Sequence, residues 1–196
     1  MELVVATGNK GKLREIRELL KDLPYTVTSL ADYPDAPEII EDGKSFAQNA
    51  IIKAATIAQY TRKLTMGEDS GLEVKALKNR PGIYSARYSG PGATDQRNNA
   101  KLLREMRGIP EEKRTARYRC CAAVADAHGL IDVVSGQCGG IITERARGKN
   151  GFGYDPYFLI KRYQKTFGEL DPSIKSRISH RARAMKKLYQ VLKAYV

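Results

Sequence analysis

The chain has 196 residues, which is enough for one compact domain with a real hydrophobic core, or for two small lobes around a cleft. No apolar run is long enough to span a bilayer and the N-terminus lacks the pattern of a secretory signal, so we expect a cytoplasmic protein without a membrane partner. Ten Lys or Arg against two acids in residues 161–196 supply +8 of the net charge of +12. This basic end suits an anionic partner, such as nucleic acid, a membrane surface or a small polyphosphate, or it is a solvated face.

The first half of the chain alternates predicted strands and helices. An apolar run at residues 2–6 predicts a buried strand, and apolar residues up to Leu20 then follow one helix face. Further predicted elements are a strand at 25–30, an acidic loop at 31–43 and a helix at 45–60. Residues 64–74, LTMGEDSGLEV, predict a strand, an acidic turn and a second strand, because Gly67 and Gly71 bracket the charged residues.

The second half begins with glycine- and proline-rich residues 79–93, which predict an irregular loop. The elements predicted after it are a helix from Thr94 to Met106 with Thr94 as N-cap, a hairpin of long strands around His128-Gly129, another strand at 140–146, a glycine-rich loop at 148–156 and a last helix from about Ser179. Cys120, Cys121 and Cys138 lack metal-ligand spacing and are expected to be small buried side chains.

The turn TGNKGK at residues 7–12 joins the first strand to the first helix. It is neither a Walker A loop, which would need a glycine at Ala6, nor a G-x-G-x-x-G dinucleotide loop. Backbone N–H groups at a helix start nevertheless favour an anion. Lys10 and Lys12 are unfavourable there by about 0.3–1 kcal/mol each unless an anion is bound. The alternative is that both lysines are solvated and that Glu15 offsets Lys12.

The last helix repeats this anomaly. With Ser179 as N-cap, His180 and Arg181 fall in its first turn. Two helices that both begin with cations suggest one shared anion, since an unfavourable placement of charge that occurs twice is typical of a functional site.

Two acidic turns could hold Mg²⁺ for polyphosphate hydrolysis, one at Glu41-Asp42 and one at Glu68-Asp69. Acids before a helix are also common without a ligand, so Glu41 alone carries little weight. Neighbouring strand residues point to opposite faces, and we therefore choose Asp69 as the acid that faces the cleft. It would bind metal and accept a proton from the attacking water, and the division of roles between Glu68 and Asp69 stays open.

The loop GFGYDP, residues 151–156, combines an aromatic residue, two glycines that allow close approach of a ligand, and an acid before a proline. It would suit a base-binding loop in which Phe152 stacks on the base. A tight structural turn with Phe152 buried explains the loop equally well.

Together these stretches resemble the inosine triphosphate pyrophosphatase family, also called the HAM1-like proteins. The matching segments occur in the family's order: TGNKGK at 7–12, FAQNAIIKA at 46–54, EDSGLEV at 68–74, PGIYSARYSG at 81–90, GFGYDP at 151–156 and ISHRARA at 178–184. Six such segments over almost the full length make the resemblance specific. It implies one domain over residues 1–196, with a mixed α/β fold in which a long central sheet is flanked by helices and two lobes surround an active-site cleft.

The resemblance also implies a homodimer and Mg²⁺-dependent hydrolysis of ITP, dITP and XTP at the α–β phosphoanhydride, giving the monophosphate and pyrophosphate. Glu41 and Asp69 would bind the metal, and Asp69 would be the proton acceptor. The residues implied to hold the phosphates are Thr7, Gly8, Asn9, Lys10, Gly11, Lys12 and Lys53. Those implied to bind the base and sugar end are Ser70, Phe152, Gly153, Tyr154, Asp155, Lys175, His180 and Arg181.

Two other functions fit parts of the sequence. The basic C-terminal region could belong to a nucleic-acid-binding module, although we find no RNA-binding signature or groove-reading helix, and so expect no specific nucleic-acid partner. A related pyrophosphatase acting on modified pyrimidine nucleotides is the second alternative.

Overall fold

The computed structural model describes residues 1–195. Its strands are β1 (Glu2–Val5), β2 (Thr26–Ser29), β3 (Leu64–Val74), β4 (Arg80–Pro81), β5 (Thr115–Asp126), β6 (Gly129–Ile142), β7 (Phe158–Ile160) and β8 (Lys165–Thr166). Its α-helices are α1 (Lys10–Leu20), α2 (Phe46–Thr61), α3 (Asp95–Glu105), α4 (Pro172–Ile178) and α5 (His180–Tyr195). The strands form one sheet in the order β2-β1-β3-β5-β6-β7-β8, and β4 pairs with β3.

The sheet is mixed. β1 runs parallel to both β2 and β3, whereas β7 is antiparallel to β6 and β8. The predicted class, mixed α/β with a central sheet flanked by helices, is confirmed. No helix among residues 1–195 is both long enough and apolar enough to cross a membrane.

The chain forms two compact units. The first unit contains residues 1–69, 120–136 and the described residues from 180 onward, and the second contains Ser70–Arg119 and Gln137–Ser179. Strands β3, β5 and β6 contribute residues to both units.

The first unit buries both faces of β1, because successive strand residues point to opposite sides. On one side Leu3 and Val5 share an apolar cluster with Ile16 of α1 and Leu188 of α5. On the other side Val4 packs in a cluster that includes Ile57 of α2. Helices α1 and α5 therefore pack on one side of the sheet, and α2 packs on the other.

The core of the second unit is aromatic. The ring of Phe158 lies 4.6 Å from that of Tyr118 and 5.3 Å from that of Phe167, measured between centroids. Leu102 and Met106, from the end of the α3 segment, belong to the same buried cluster. Tilted aromatic packing of this kind holds Tyr118 of β5, Phe158 of β7 and Phe167, which directly follows β8, against one another.

The prediction of a turn within residues 64–74 is wrong, because β3 is a single continuous strand from Leu64 to Val74. Gly67 marks a close approach of two backbones instead. A Cβ added to Gly67 would lie 2.2 Å from the carbonyl oxygen of Ala50 and 2.6 Å from the backbone nitrogen of Ala54, both in α2. A glycine inside a strand can signal such a contact as readily as a turn.

The predicted separate strand at 140–146 is also wrong, since β6 runs without a break from Gly129 to Ile142. The region 79–93 is more ordered than a loop, because it contains β4 and a 3-10 helix over Gly82–Arg87. The hairpin, the helix capped by Thr94 and the start of the last helix are confirmed. All three cysteines are buried, as expected, and none of them forms a disulfide.

Helix packing against glycines gives a testable prediction in the first unit. Gly67→Ala should lower the free energy of unfolding by about 1–3 kcal/mol, since α2 must shift to admit a methyl group. Gly136→Ala should act similarly, because its Cβ would lie 2.3 Å from the carbonyl oxygen of His180. Chemical denaturation measures both changes.

Gly139→Ala on the same strand as Gly136 is the matched control, because its Cβ would meet no atom within 4 Å. Equal losses in Gly67→Ala and Gly139→Ala would show that close packing is not the reason for the glycine at position 67.

Candidate active site

The loop before α1 is organised by its own side chains. Asn9 is the N-cap of α1, and its Oδ1 accepts a hydrogen bond from the backbone N–H of Lys12 at 3.0 Å. The backbone N–H of Asn9 donates to Thr7 Oγ1 at 3.2 Å. Gly8, Asn9 and Lys10 are exposed. The first turn of α1 contains no acidic residue, so the predicted cationic helix start is present.

Asp69 lies buried on β3 beside α2. The ammonium of Lys53 is 3.2 Å from Asp69 Oδ1 and 2.7 Å from Glu41 Oε2. Asn49, one helical turn before Lys53, donates from Nδ2 to Asp69 Oδ2 at 3.2 Å. Three of the predicted site residues, Glu41, Lys53 and Asp69, therefore form one cluster in the first unit.

Burial and charge act against each other in this cluster. Burial raises the pKa of the Asp69 carboxyl, although the positive charges of Lys53 and Lys12 act in the opposite direction. Burial also disfavours the charged form of Lys53, but the carboxylates of Asp69 and Glu41 outweigh it and raise the pKa of the ammonium. An ionised Lys53 thus stands beside a carboxylate that accepts a proton more readily than a solvated one would.

The donor set of this cluster fits Mg²⁺. The carboxylates of Glu41 and Asp69 already converge on one cation, the Lys53 ammonium. The buried Oδ1 of Asn49 has no hydrogen-bond partner within residues 1–195. Within the described part of the chain no group of three or more His, Cys, Asp or Glu could form a metal cage. Mg²⁺ commonly uses one or two carboxylates and completes its shell with water and substrate phosphates.

The side chain of Glu68 lies on the opposite side of β3 from that of Asp69. Its Oε2 is 2.9 Å from the ammonium of Lys12, and its Oε1 is 3.2 Å from Arg181 Nη2 and 3.2 Å from the thiol of Cys120. Arg181 also pairs with Glu15 of α1. The first-turn cations Lys12 and Arg181 of α1 and α5 therefore contact one carboxylate of the protein itself. The shared anion inferred from the sequence was a bound ligand, and that inference stays a prediction.

Arg181 is buried together with this carboxylate. Burial works against its charged form, but Glu68 and Glu15 raise the pKa of the guanidinium. Burial also raises the pKa of the Cys120 thiol, which stays protonated and donates to Glu68. Sequence reasoning did not foresee that Glu68 joins three elements, because its partners lie far apart along the chain.

The loop at 151–156 lies in the second unit. Asp155 is buried, and its Oδ2 accepts from the backbone N–H of Phe152 at 2.9 Å and from Lys175 Nζ at 2.6 Å. The Lys175 ammonium lies 5.0 Å from the centroid of the Phe152 ring. Gly151 has φ +78°, and a Cβ there would lie 2.0 Å from Asp155 Oδ2, so this turn requires glycine.

The other residues of this loop that are predicted to bind substrate differ in accessibility. Phe152 is half-buried, which leaves part of its ring available for stacking. Tyr154 is buried, and its hydroxyl donates to the carbonyl of Ser85 at 2.7 Å, so that only its backbone is left for a ligand. Gly153 is fixed by a hydrogen bond from its N–H to Asp95 at 2.8 Å.

The predicted site residues thus divide between the units. His180 and Arg181, both buried at the start of α5, lie in the first unit. The same unit holds the residues predicted to bind the phosphates and the metal: Thr7, Gly8, Asn9, Lys10, Gly11, Lys12, Glu41, Lys53 and Asp69. The second unit holds Ser70, Phe152, Gly153, Tyr154, Asp155 and Lys175. Their individual roles stay predictions.

The fold and the first-unit cluster define an α/β protein with a candidate site for a phosphorylated ligand and a divalent cation. Residues 3–191 match the model of the Ham1 family. The chain belongs to this family.

Several relatives are similar along nearly their whole length. The dITP/XTP pyrophosphatase of Desulforamulus reducens is 49% identical over 98% of this chain and 96% of the relative. That of Bacillus subtilis is 46% identical over 98% of both chains. Among solved structures, a HAM1 protein from Coxiella burnetii has a TM-score of 0.89 at 38% identity, covering 99% of both chains. The Staphylococcus aureus Ham1 protein has a TM-score of 0.88 at 34% identity, covering 100% of both.

Proposed function

We propose that the chain is a nucleoside triphosphate pyrophosphatase that hydrolyses dITP, ITP and XTP to the monophosphate and pyrophosphate. The observation that carries this proposal is the convergence of Glu41, Lys53 and Asp69 in the unit that also holds the cationic start of α1. The relatives support the proposal, because proteins that are 46–49% identical over almost the whole chain are named dITP/XTP pyrophosphatases.

The reaction joins a water oxygen to the α-phosphorus and breaks the bond from that phosphorus to the bridging oxygen of pyrophosphate. The Asp69 carboxylate accepts the proton that the water loses, and burial prepares it for this role. Glu41 and Asp69 would hold Mg²⁺, which supplies positive charge for the phosphoryl oxygens and lowers the pKa of water.

Pyrophosphate leaves with additional negative charge. In the proposal, Lys53, Lys12 and the N–H groups of the Thr7–Lys12 loop stabilise that charge. Because these groups are already held by hydrogen bonds and ion pairs, little reorganisation is needed when the charge develops.

Residues of both units are proposed to recognise the base, since Lys175 belongs to the second unit and His180 and Arg181 belong to the first. Hypoxanthine and xanthine offer a 6-oxo acceptor beside an N1–H donor, whereas adenine reverses both. Fixed donors such as Lys175, His180 or Arg181 would leave polar groups unpaired against adenine, which supports discrimination of roughly 10⁴-fold or more. Arg181 and Lys175 both pair with buried carboxylates, so the charge count of the C-terminal region overstates its exposed basic surface.

A nucleotide panel tests the function. We expect Mg²⁺-dependent pyrophosphate release from dITP, ITP and XTP, with kcat/KM at least about 10²-fold above that for ATP. Fastest turnover of dUTP or dTTP would instead indicate the pyrimidine enzyme. Salt-dependent retention of nucleic acid without any pyrophosphate release would indicate the binding module.

We also propose the homodimer and the cytoplasmic location that the resemblance implies. Light scattering on the purified chain measures the mass in solution, and a monomer at micromolar concentration would contradict the homodimer. Fractionation of the source cells tests the cytoplasmic location.

A further inference from the structure

Glu68 is the shared anion of two helix starts. Lys12 lies in the first turn of α1 and Arg181 in the first turn of α5, where a positive charge is disfavoured by the helix dipole. Both side chains reach the same carboxylate, at 2.9 and 3.2 Å. The unfavourable placement of both cations is thus offset before any ligand binds.

The two adjacent acids of β3 have separate surroundings. The Asp69 side chain meets Lys53 and Asn49 of α2, whereas the Glu68 side chain meets Lys12, Arg181 and Cys120. The backbone of Glu68 adds a further contact, since its carbonyl accepts a hydrogen bond from Lys53 Nζ at 3.2 Å. Glu68 consequently contacts two of the three lysines that are assigned to the phosphates, Lys12 and Lys53.

Glu68 is more deeply buried than Lys12, so that only Lys12 stays accessible to a ligand. Its side chain is 0% exposed, whereas that of Lys12 is 15% exposed. An ammonium has three N–H donors, so pairing with Glu68 leaves Lys12 able to donate to another anion. Glu68 itself offers no accessible oxygen for a ligand or a water in this arrangement.

We propose that Glu68 is a positioning residue of the reaction: its carboxylate holds the ammonium of Lys12, and through Arg181 the start of α5, in place for the triphosphate. This inference rests on the proposed function. It separates the roles of the two acids, because Asp69 acts on the reacting water while Glu68 acts through Lys12.

A double-mutant cycle tests this assignment with dITP and Mg²⁺. Glu68→Gln keeps the size of the side chain and its capacity to accept from Arg181 and Cys120, but removes the charge. We expect it to lower kcat/KM by about 10-fold or more, because Lys12 both binds the triphosphate, which raises KM when weakened, and stabilises the leaving pyrophosphate, which lowers kcat when weakened. Because Glu68 acts through Lys12, Glu68→Gln combined with Lys12→Ala should be no worse than Lys12→Ala alone, within about twofold. Multiplied losses would overturn the assignment.

Glu68→Asp keeps the charge and provides a second variant. We expect its KM to lie between those of the wild type and Glu68→Gln, with kcat close to the wild type. Equal KM values for the Asp and Gln variants would contradict a role of the charge.

Labelling of the folded protein with acetic anhydride gives a readout that does not depend on activity. Lys12 should be labelled several-fold faster in Glu68→Gln than in the wild type, with exposed Lys21 as the internal reference. An unchanged rate at Lys12 would refute the positioning contact. If the wild type released no pyrophosphate, the proposed function would fail by itself, and the labelling rate would still decide whether Glu68 controls Lys12.

Discussion

Replacing Asp69 by asparagine should lower kcat for dITP by roughly 10²–10⁴-fold, the range typical of a lost general base. The amide matches the carboxyl in size but can neither accept a proton from water nor neutralise Lys53, which lies 3.2 Å from the carboxylate. Nucleotide binding should remain measurable by calorimetry, because the Thr7–Lys12 loop and the 151–156 loop are untouched.

Asp132→Asn is a suitable control, since Asp132 is exposed on β6 and its carboxylate accepts a local hydrogen bond from the backbone N–H of the next residue, Val133. We expect its kcat to match the wild type. A near-normal kcat in Asp69→Asn would remove Asp69 from its assigned role.

Replacing Arg181 by methionine should lower the free energy of unfolding by about 3–5 kcal/mol, which is the usual effect of removing one partner of a buried ion pair. Glu68, which is fully buried, would keep Lys12 but lose the guanidinium, and Glu15 would also lose its partner. Denaturation by urea at neutral pH gives the value.

Lys186→Met is the matched control, because it removes the same charge from an exposed position of α5. Adding Glu68→Gln to Arg181→Met should recover part of the loss, since a neutral amide no longer needs a countercharge. Equal stability of Arg181→Met and Lys186→Met would mean that the buried pair does not stabilise the first unit.

Local patterns in the sequence sufficed for much of the fold. The apolar stripe that includes Phe46, Ala50 and Ala54 correctly predicted α2, and the turn at His128-Gly129 correctly predicted the hairpin of β5 and β6. Such elements are determined by neighbours within a few residues, which the sequence displays directly. The short strands β7 and β8 and helix α4 were missed, because their few residues carry too little periodicity.

The errors arose where distant contacts decide the structure. Gly67 resembles a turn residue, but its role is set by the backbone of α2 pressed against β3. Packing of this kind cannot be read from the residues around the glycine.

The site shows the same limit. Lys12 and Arg181 were singled out correctly as cations at helix starts, but the anion inferred to lie between them was a bound ligand. That Glu68 pairs with both depends on distant contacts, of which Arg181–Glu68 spans 113 residues, and no local pattern reveals them. Asn49 was missed as well, although its position four residues before Lys53 places both on one face of α2.

The bond that is cleaved can be located by hydrolysing dITP in ¹⁸O-enriched water with Mg²⁺ and analysing both products by mass spectrometry. Attack on the α-phosphorus places one ¹⁸O in the monophosphate and none in pyrophosphate. Label in pyrophosphate, release of inorganic phosphate with the diphosphate, or no turnover of dITP would contradict the proposed reaction.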